Sequence, residues 1–231
     1  LRQAAPSATQ FMARRMASKL GWNSSGLQRL NLRDGRGHIF LRGRGSSDYD
    51  VVRQIFFGEQ LKPVRAVREP GVIVDCGANV GYASVYLLEA FPHARVIAVE
   101  PAPDNVAVCA KNLAPYGGRA ALVQAAVWPH CAQLELVRGE FGDGREWSTQ
   151  VREPSRAEQG SVQAVDVPRL MQQHGIAHID LLKIDIEGGE VPLFNDERCQ
   201  EWLRKVSNIA IELHGDDCER AFFGAMAGYD Y

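Results

Sequence analysis

The sequence lacks any apolar run close to the roughly 20 residues that a membrane-spanning helix requires. It also lacks an excess of charge of either sign, because 26 Lys and Arg residues face 28 Asp and Glu residues, for a formal net charge of -2. A surface that binds nucleic acid normally leaves a basic excess. We therefore expect neither a membrane span nor a nucleic-acid partner.

The five cysteines lack the CxxC spacing and the nearby histidines of a zinc site, and their odd number disfavours a disulfide framework. They are typical of reduced thiols, so we expect a cytoplasmic protein. The first 33 residues contain six basic residues and no acidic one, which superficially resembles an organellar transit peptide. We favour a short amphipathic helix instead, because Met12, Met16 and Leu20 recur at i, i+4 spacing.

From Val72 onward, short apolar runs alternate with helix-like stretches, which predicts an α/β fold with a parallel sheet. Runs this continuously apolar belong inside a sheet that is covered on both faces. The predicted strands are Val72 to Val74, Arg95 to Val99, Ala120 to Val127, Asp180 to Ile186 and Asn208 to Leu213. The predicted helices are Tyr82 to Phe91, Asp104 to Leu113, Val167 to His174, Glu190 to Phe194 and Cys218 to Ala227.

Residues 1–70 form a predicted N-terminal extension and lead-in, and residues 71–231 the main domain. The lead-in contains a predicted strand at His38 to Arg42 and then an amphipathic helix that Ser47 or Asp48 caps. The apolar side of this helix carries Val51, Val52, Ile55 and Phe56. Within the main domain, the polar segment from Gly139 to Gly160 predicts a surface excursion or a mobile loop.

The best-defined ligand site is the loop from Asp75 to Gly81, where an apolar strand ends in an acid and runs through two glycines into a helix. Gly77 and Gly81 allow a tight turn and the close approach of a ligand. In open α/β sheets, ligands bind beyond the carboxyl ends of the strands, which is where this loop lies. The glycines do not form GxGxxG, and this disfavours a nicotinamide-dependent dehydrogenase.

Glu100, followed by Pro101, ends the second predicted strand. An acid at this place accepts the ribose hydroxyls of a bound nucleotide in related α/β folds. We expect Glu100 to accept both ribose hydroxyls of an adenosine. Its replacement is expected to weaken cofactor binding while barely changing stability, since the residue serves the ligand.

Four segments together resemble the FkbM family of S-adenosylmethionine-dependent methyltransferases: DCGANVGYASVYL, VIAVEPAPDNVAVCAKNL, DLLKIDIEGGE and IAIELH. The resemblance covers roughly Ser46 to His214, and LLKIDIEGGE is its most family-specific part. It implies a class I methyltransferase fold, a Rossmann-like three-layer sandwich with the mostly parallel sheet order 3-2-1-4-5-7-6. The sequence stops at Tyr231, where the first of the last two strands would start, so we expect either a domain truncated there or a sheet with an unusual edge.

The resemblance implies S-adenosylmethionine as the cofactor, with its methionine part on the glycine loop, its ribose on Glu100 and its adenine near Pro101, Ala125 and Ala126. It also implies O-methylation of a hydroxyl on a sugar, glycan or natural product. An amine or carboxyl acceptor, a noncatalytic adenosine-nucleotide-binding module, and self-association stay open. The predicted cofactor-binding residues are Asp75, Gly77, Ala78, Asn79, Gly81, Glu100, Pro101 and Ala126.

Charged residues also follow the fourth and fifth strands, which are neighbours in this topology. Period two places Lys183, Asp185 and Glu187 on one side of the fourth strand, where an interior strand is normally apolar. Glu212 and His214 alternate in the same way at the end of the fifth. We expect these five groups, the candidate catalytic residues, to converge near the transferable methyl group.

Several roles are open for this cluster. His214 is a candidate general base because its ordinary pKa lies near neutrality, and Asp185 or Glu187 can serve instead. Asp185, Glu187 and Glu212 can alternatively hold a divalent metal ion through oxygen ligands. We favour the metal-free route slightly, because these ligands lack the compact spacing of a dedicated metal-binding loop. Lys183 can also be a structural ion-pair partner.

Overall fold

The computed structural model describes residues 6–19, 26–32, 37–43, 45–58, 60–138, 149–154 and 162–229. The strands are β1 (Gln28–Asn31), β2 (His38–Leu41), β3 (Val72–Cys76), β4 (Arg95–Glu100), β5 (Ala120–Gln124), β6 (Ala126–Val127), β7 (Gln133–Val137), β8 (Gln150–Arg152), β9 (Val162–Val165), β10 (Leu181–Ile184) and β11 (Ile209–Ile211). The α-helices are α1 (Ala8–Lys19), α2 (Asp48–Val52), α3 (Tyr82–Ala90), α4 (Pro103–Leu113), α5 (Val167–Gln173), α6 (Glu190–Asn195), α7 (Cys199–Leu203) and α8 (Asp216–Ala225).

The central sheet has five parallel strands in the order β5-β4-β3-β10-β11. This order confirms the arrangement 3-2-1-4-5 expected for the first five strands. A sixth or seventh strand of this sheet does not occur among the described residues. Because all five strands run in one direction, the loops that follow β3, β4, β10 and β11 meet at one edge of the sheet.

The period-two alternation of the strands explains the three-layer sandwich that the sequence predicted. Ile73 and Val96 face one hydrophobic cluster, which includes α3, α4 and the lead-in. Their neighbours Val74 and Ile97 face the other cluster, which α5 to α8 build. All four side chains are at most 1% exposed. Both faces of the sheet are therefore covered, which is why its strands are predominantly apolar.

The lead-in packs into the same hydrophobic cluster as α3. Its predicted strand is confirmed as β2, which pairs antiparallel with β1, a strand that the sequence did not predict. The predicted helix is confirmed as α2, and it continues as a π-helical turn over Arg53–Phe57. The expected side-chain cap is wrong: Ser47 makes no capping hydrogen bond, and Asp48 is buried in an ion pair with Arg42.

The N-terminal helix is confirmed as α1, but its predicted apolar face is wrong. Met12 and Met16 are 68% and 65% exposed, and Leu20 lies outside the described residues. Phe11, which is 5% exposed, packs instead against the rings of Tyr49 and Phe57, at centroid distances of 5.8 and 5.0 Å. Burying the large Phe11 ring in an aromatic cluster stabilises the structure more than burying the two methionine side chains would, so the Phe11 face of the helix packs against the protein.

The predicted strand from Ala120 to Val127 is in fact two strands that belong to different sheets. The strand is interrupted at Ala125, whose N–H donates to the Glu100 carbonyl. After this residue, β6 joins a four-stranded sheet in the order β6-β9-β7-β8. Part of the predicted loop at 139–160 is the strand β8, and the rest lies outside the described residues. No helix of the described part of the chain is long and apolar enough to cross a membrane.

Candidate cofactor and acceptor site

The loop between β3 and α3 requires glycine because other backbone and side-chain atoms lie against it. Gly77 has φ +77°, and a Cβ there would lie 1.7 Å from the Asp185 carbonyl oxygen. Gly81 has φ +85°, and its Cβ would lie 2.8 Å from the Cys109 sulfur. The absence of a side chain at these two glycines therefore lets other parts of the protein pack closely against the loop. The Asp185 backbone lies directly beside Gly77 for this reason.

The end of β4 anchors this loop through its backbone and one side chain. The N–H groups of Gly77 and Ala78 both donate to the Val99 carbonyl at 3.0 Å. The N–H of Asn79 donates to Glu100 Oε2 at 2.9 Å. These bonds tie the loop to the end of β4.

Glu100 is only 5% exposed, and its carboxylate is already well occupied. Besides Asn79, the Ala102 N–H donates to Oε1 at 3.0 Å and the Asn105 amide at 3.1 Å. A carboxylate offers about four lone-pair sites, so roughly one remains for a ligand. The structure thus leaves fewer free positions than two ribose hydroxyls would fill, and it ties the carboxylate to the surrounding loops; the contact of Glu100 with a ribose stays a prediction. Burial raises its pKa, and the three hydrogen bonds oppose that shift.

Asp75 and Lys183 form a buried ion pair between β3 and β10, where the sheet register places them side by side. The Asp75 side chain is fully enclosed, and it accepts from Ser84 Oγ at 2.6 Å and lies 3.2 Å from the Lys183 ammonium. Lys183 Nζ also donates to the Gly77 carbonyl at 3.0 Å. Asp75 and Gly81 are not among the residues that line the two hollows described below, and their contact with the cofactor stays a prediction.

Asn79 carries the clearest unfilled hydrogen-bonding position in the loop. Its backbone has φ +51°, a conformation that asparagine tolerates better than most residues. Its Oδ1 atom is buried and has no hydrogen-bond partner within the part of the chain that the structure describes. An acceptor of this kind is costly to leave unsatisfied, so it favours a ligand that brings an N–H or O–H donor.

Two adjoining hollows open beside this loop. The first, a narrow cleft, is lined by Gly77, Asn79, Val99, Glu100, Pro101, Asn105, Ala126, Val127, Thr149, Val151, Asp185, Ile186 and Glu187. Pro101 and Ala126, which were expected near the adenine, both line this cleft. The sequence analysis did not predict Val151, which lies on β8, or Thr149, which precedes that strand, as site residues. Their segment was predicted as a surface loop, and no sequence motif marks them.

The second hollow is a cavity of about 560 Å³. One wall comes from the lead-in and is mostly apolar: Val51, Gln54, Ile55, Gln60, Leu61, Pro63 and Val64. The opposite wall carries the charged strand ends: Lys183, Asp185, Glu187, Glu212 and His214. Gln60 joins the two walls, since its amide donates to Glu212 Oε2 at 2.8 Å.

The five groups at the strand ends converge, although three of them form a tighter set than the others. His214 Nε2 lies 3.6 Å from Asp185 Oδ1 and 3.6 Å from Glu187 Oε2. The charged side chains do not follow strand alternation, because β10 ends at Ile184 and Glu187 turns with φ +51°. A loop conformation, not period two, brings them together.

Glu190 was missed as a site residue, although it belongs to the segment LLKIDIEGGE. Its carboxylate is fully buried, and Oε1 lies 3.0 Å from His214 Nδ1. The N–H groups of Ile186 and Gly188 donate to it at 3.2 and 2.8 Å. A carboxylate only accepts, so His214 Nδ1 carries the hydrogen, and Nε2 faces Asp185 and Glu187.

The crowding of charges shifts the pKa values within the cluster. Burial and nearby carboxylates raise the pKa of Glu187 to about 7, against the opposing effect of His214. For His214, burial disfavours the charged form, but Glu190, Glu187 and Asp185 outweigh it and raise the pKa to about 9. His214 therefore keeps its proton at neutral pH in this arrangement, which argues against its predicted role as a free general base.

Comparison with known proteins places the chain in a family. Residues 75–229 match the methyltransferase FkbM domain. The chain is 28% identical over 169 residues to methyltransferase sdnD of Sordaria araneosa, an alignment that covers 61% of this chain and 65% of that protein, just under two thirds of its length.

Two further proteins are similar to this chain. Methyltransferase 1 of Beauveria bassiana (strain ARSEF 2860) is 23% identical over 194 residues, which cover 76% of this chain and 77% of that protein. The crystal structure of precorrin-6y C5,15-methyltransferase from Geobacter metallireducens GS-15 superimposes with a TM-score of 0.45 at 14% identity, covering 75% of this chain and 70% of that one. Because the FkbM domain match spans most of its length, this chain belongs to the FkbM methyltransferase family.

Proposed function

We propose that the chain transfers the methyl group of S-adenosylmethionine to a hydroxyl oxygen of a small-molecule or glycan acceptor. The observation that supports this most is the wall shared by the two hollows: Gly77, Asn79, Asp185 and Glu187 line both. Ligands in the cleft and in the cavity would meet there. Group transfer between two bound ligands needs such a junction, because the reacting atoms must approach in line.

The residues of the cleft fit S-adenosylmethionine in their hydrogen-bonding capacity. The unsatisfied Oδ1 of Asn79 suits an ammonium donor of the methionine part. Glu100 has roughly one lone-pair site left for a ribose hydroxyl. Val99, Pro101 and Ala126 offer an apolar surface to the adenine. When bound, the cofactor supplies an electrophilic methyl group on a sulfonium.

The cavity fits an acceptor that has both an apolar part and a hydroxyl. Its volume of about 560 Å³ lies within the range of small-ligand sites. An apolar portion would pack on the lead-in wall, at Ile55, Leu61 and Val64. Its hydroxyl would then point towards Asp185 and Glu187, whose carboxylates can accept the hydroxyl hydrogen and orient the oxygen.

The charges of the cavity bear on the alternative acceptors. A carboxylate acceptor would add negative charge beside Asp185, Glu187 and Glu212, which is unfavourable at these short distances. Membership of the FkbM family removes the dehydrogenase alternative. It also favours an enzyme over a noncatalytic module.

All five cysteines are free thiols, which favours a reducing compartment such as the cytoplasm.

The test is methyl transfer from radiolabelled S-adenosylmethionine to a panel of glycosides, alcohols, amines and carboxylic acids. We expect label in hydroxyl-bearing acceptors, in a product that resists mild alkali, since methyl ethers survive it and methyl esters do not. Met12→Ala, on the exposed face of α1, is the matched control and should retain full activity. Label found solely in alkali-labile or N-methylated products would contradict the proposal.

A further inference from the structure

We propose that Asp185, Glu187 and His214 bind one divalent cation at the junction of the cleft and the cavity. Each residue offers one ligand atom, a carboxylate oxygen or a histidine ring nitrogen, and these atoms all lie within 4.8 Å of one another. Nε2 is the ring nitrogen of His214 that Glu190 does not occupy, and a cation bound there would displace its hydrogen. The catalytic consequence drawn below rests on the proposed function, whereas the binding of the cation does not.

The distances fit a metal centre after the ligands draw together. A cation about 2.1 Å from each ligand atom separates neighbouring ligands by roughly 3.0 Å in octahedral and 3.4 Å in tetrahedral geometry. His214 Nε2 lies 3.6 Å from both Asp185 Oδ1 and Glu187 Oε2. These two separations are close to the tetrahedral value, and the two carboxylate oxygens, which lie within 4.8 Å of each other, would also approach when the cation binds.

Two of the three ligands are held by an atom that the cation would not use. Asp185 binds Lys183 Nζ through Oδ2, at 3.2 Å, and leaves Oδ1 towards the other ligands. His214 is fixed through Nδ1 by Glu190, which is itself held by two backbone N–H groups and lies 3.4 Å from Cys218 Sγ. A histidine ligand is normally oriented by a carboxylate on its other ring nitrogen in this way.

The sequence argument against a metal assumed that the ligands were too widely spaced along the chain. Parallel neighbouring strands remove that objection: Ile184 lies beside Ile211 in the register of β10 and β11, so the two following loops start together. The positive φ of Glu187 folds the first loop back towards His214. The proposed ligand set differs from the predicted one in a single residue: it contains His214, which lies 3.6 Å from both acids, instead of Glu212. Glu212 instead bonds Gln60.

Two carboxylate oxygens and one imidazole nitrogen suit a divalent ion such as Mn²⁺, with further positions open to the two hollows. A cation there would lower the pKa of an adjacent acceptor hydroxyl. In the transfer, the acceptor O–H bond breaks and its proton leaves to solvent. A bond forms between this oxygen and the methyl carbon, and the carbon–sulfur bond breaks with its electron pair kept on the now neutral thioether.

The experiment titrates Mn²⁺ into untagged, chelator-treated protein without cofactor and follows free Mn²⁺ by electron paramagnetic resonance. We expect one Mn²⁺ per chain. Asp185→Asn and His214→Gln should weaken binding by about 100-fold or more, and Glu190→Gln, which alters an orienting partner, by about 10- to 100-fold. Glu212→Gln is the matched control, because it removes a nearby negative charge without removing a ligand. It should bind within about threefold of wild type.

Failure to bind Mn²⁺ in the wild-type protein, or equal losses in Glu212→Gln and Asp185→Asn, would overturn the proposal. If Asp185→Asn does not fold, His214→Gln carries the test, because that side chain is partly exposed. Binding of S-adenosylhomocysteine is measured in parallel with EDTA present. Retained binding of this product without Mn²⁺ binding contradicts the metal site alone, whereas loss of product binding contradicts the proposed function.

Discussion

Replacing Lys183 with methionine tests whether this residue supports the site or acts on the substrate. The Lys183 ammonium lies 3.2 Å from Asp75 Oδ1, 3.2 Å from Asp185 Oδ2 and 3.0 Å from the Gly77 carbonyl. Its removal would leave the fully buried Asp75 carboxylate without a counter-charge. Removing one partner of a buried ion pair costs about 3–5 kcal/mol, a large part of the roughly 5–15 kcal/mol that stabilises a typical domain.

The assay is urea unfolding followed by circular dichroism, on the wild type, Lys183→Met, Asp75→Asn and the double variant. We expect Lys183→Met to lower the free energy of unfolding by about 3–5 kcal/mol. The double variant should recover at least about 1 kcal/mol of that loss, because the neutral amide that replaces the Asp75 carboxylate needs no counter-charge.

A loss below about 1 kcal/mol in Lys183→Met, together with lost activity, would refute the reasoning. It would mean that the ammonium acts on a ligand and that Asp75 is stabilised by other groups. A double variant that is less stable than both single variants would equally contradict a charge-pair origin of the effect.

Three further substitutions test other parts of the structure. Glu100→Gln should lower the free energy of unfolding by about 1–3 kcal/mol, because one of the three N–H donors that now bond the carboxylate would face the amide N–H₂ of glutamine. The same variant should bind S-adenosylhomocysteine more weakly in calorimetry. Gly77→Ala should abolish cofactor binding or folding, since its Cβ would meet the Asp185 carbonyl oxygen at 1.7 Å; near-ultraviolet circular dichroism and calorimetry distinguish the two. Phe11→Ala should cost about 3 kcal/mol in urea unfolding, whereas Met12→Ala should change it by under about 0.5 kcal/mol.

Each of these substitutions has an outcome that would count against the structure. Unchanged stability in Glu100→Gln would mean that its protein hydrogen bonds contribute little. Wild-type binding in Gly77→Ala would mean that the loop has room that the structure does not show. A larger loss in Met12→Ala than in Phe11→Ala would restore the helix face that the sequence predicted.

The sheet could be predicted from the sequence because its physical cause is local. Strands buried on both faces are predominantly apolar, and the runs that begin at Val72, Arg95 and Asp180 therefore stand out from the helices between them. The glycine loop is equally visible, since positive φ at Gly77 and Gly81 leaves few alternatives to glycine.

The second sheet could not be predicted, because its strands are short and their pairing is nonlocal. The two residues of β6 read as the end of β5, and β8 has three residues within a polar segment. The rotation of α1 was missed for a related reason: apolar spacing at Met12 and Met16 does not reveal which face finds an aromatic partner.

Within the candidate site, the sequence indicated which charged side chains lie close together, but not which of them face a ligand and which bond to other protein groups. Asp75, Lys183 and Glu190 are all charged residues near strand ends, yet each is buried and bonded to other protein groups. Burial of this kind depends on packing between elements distant in sequence. Asp75, a residue expected at the cofactor, is enclosed in this way by Lys183 and Ser84.

Calorimetric titration of S-adenosylhomocysteine and of NAD⁺ into the purified chain tests the central claim most directly. The claim is that the loop after β3, together with Glu100, binds an S-adenosylmethionine-type cofactor. We predict one S-adenosylhomocysteine per chain, weaker binding in Asn79→Ala because the buried Oδ1 acceptor is lost, and no comparable heat with NAD⁺. Tight binding of NAD⁺ with no response to S-adenosylhomocysteine or S-adenosylmethionine would contradict it.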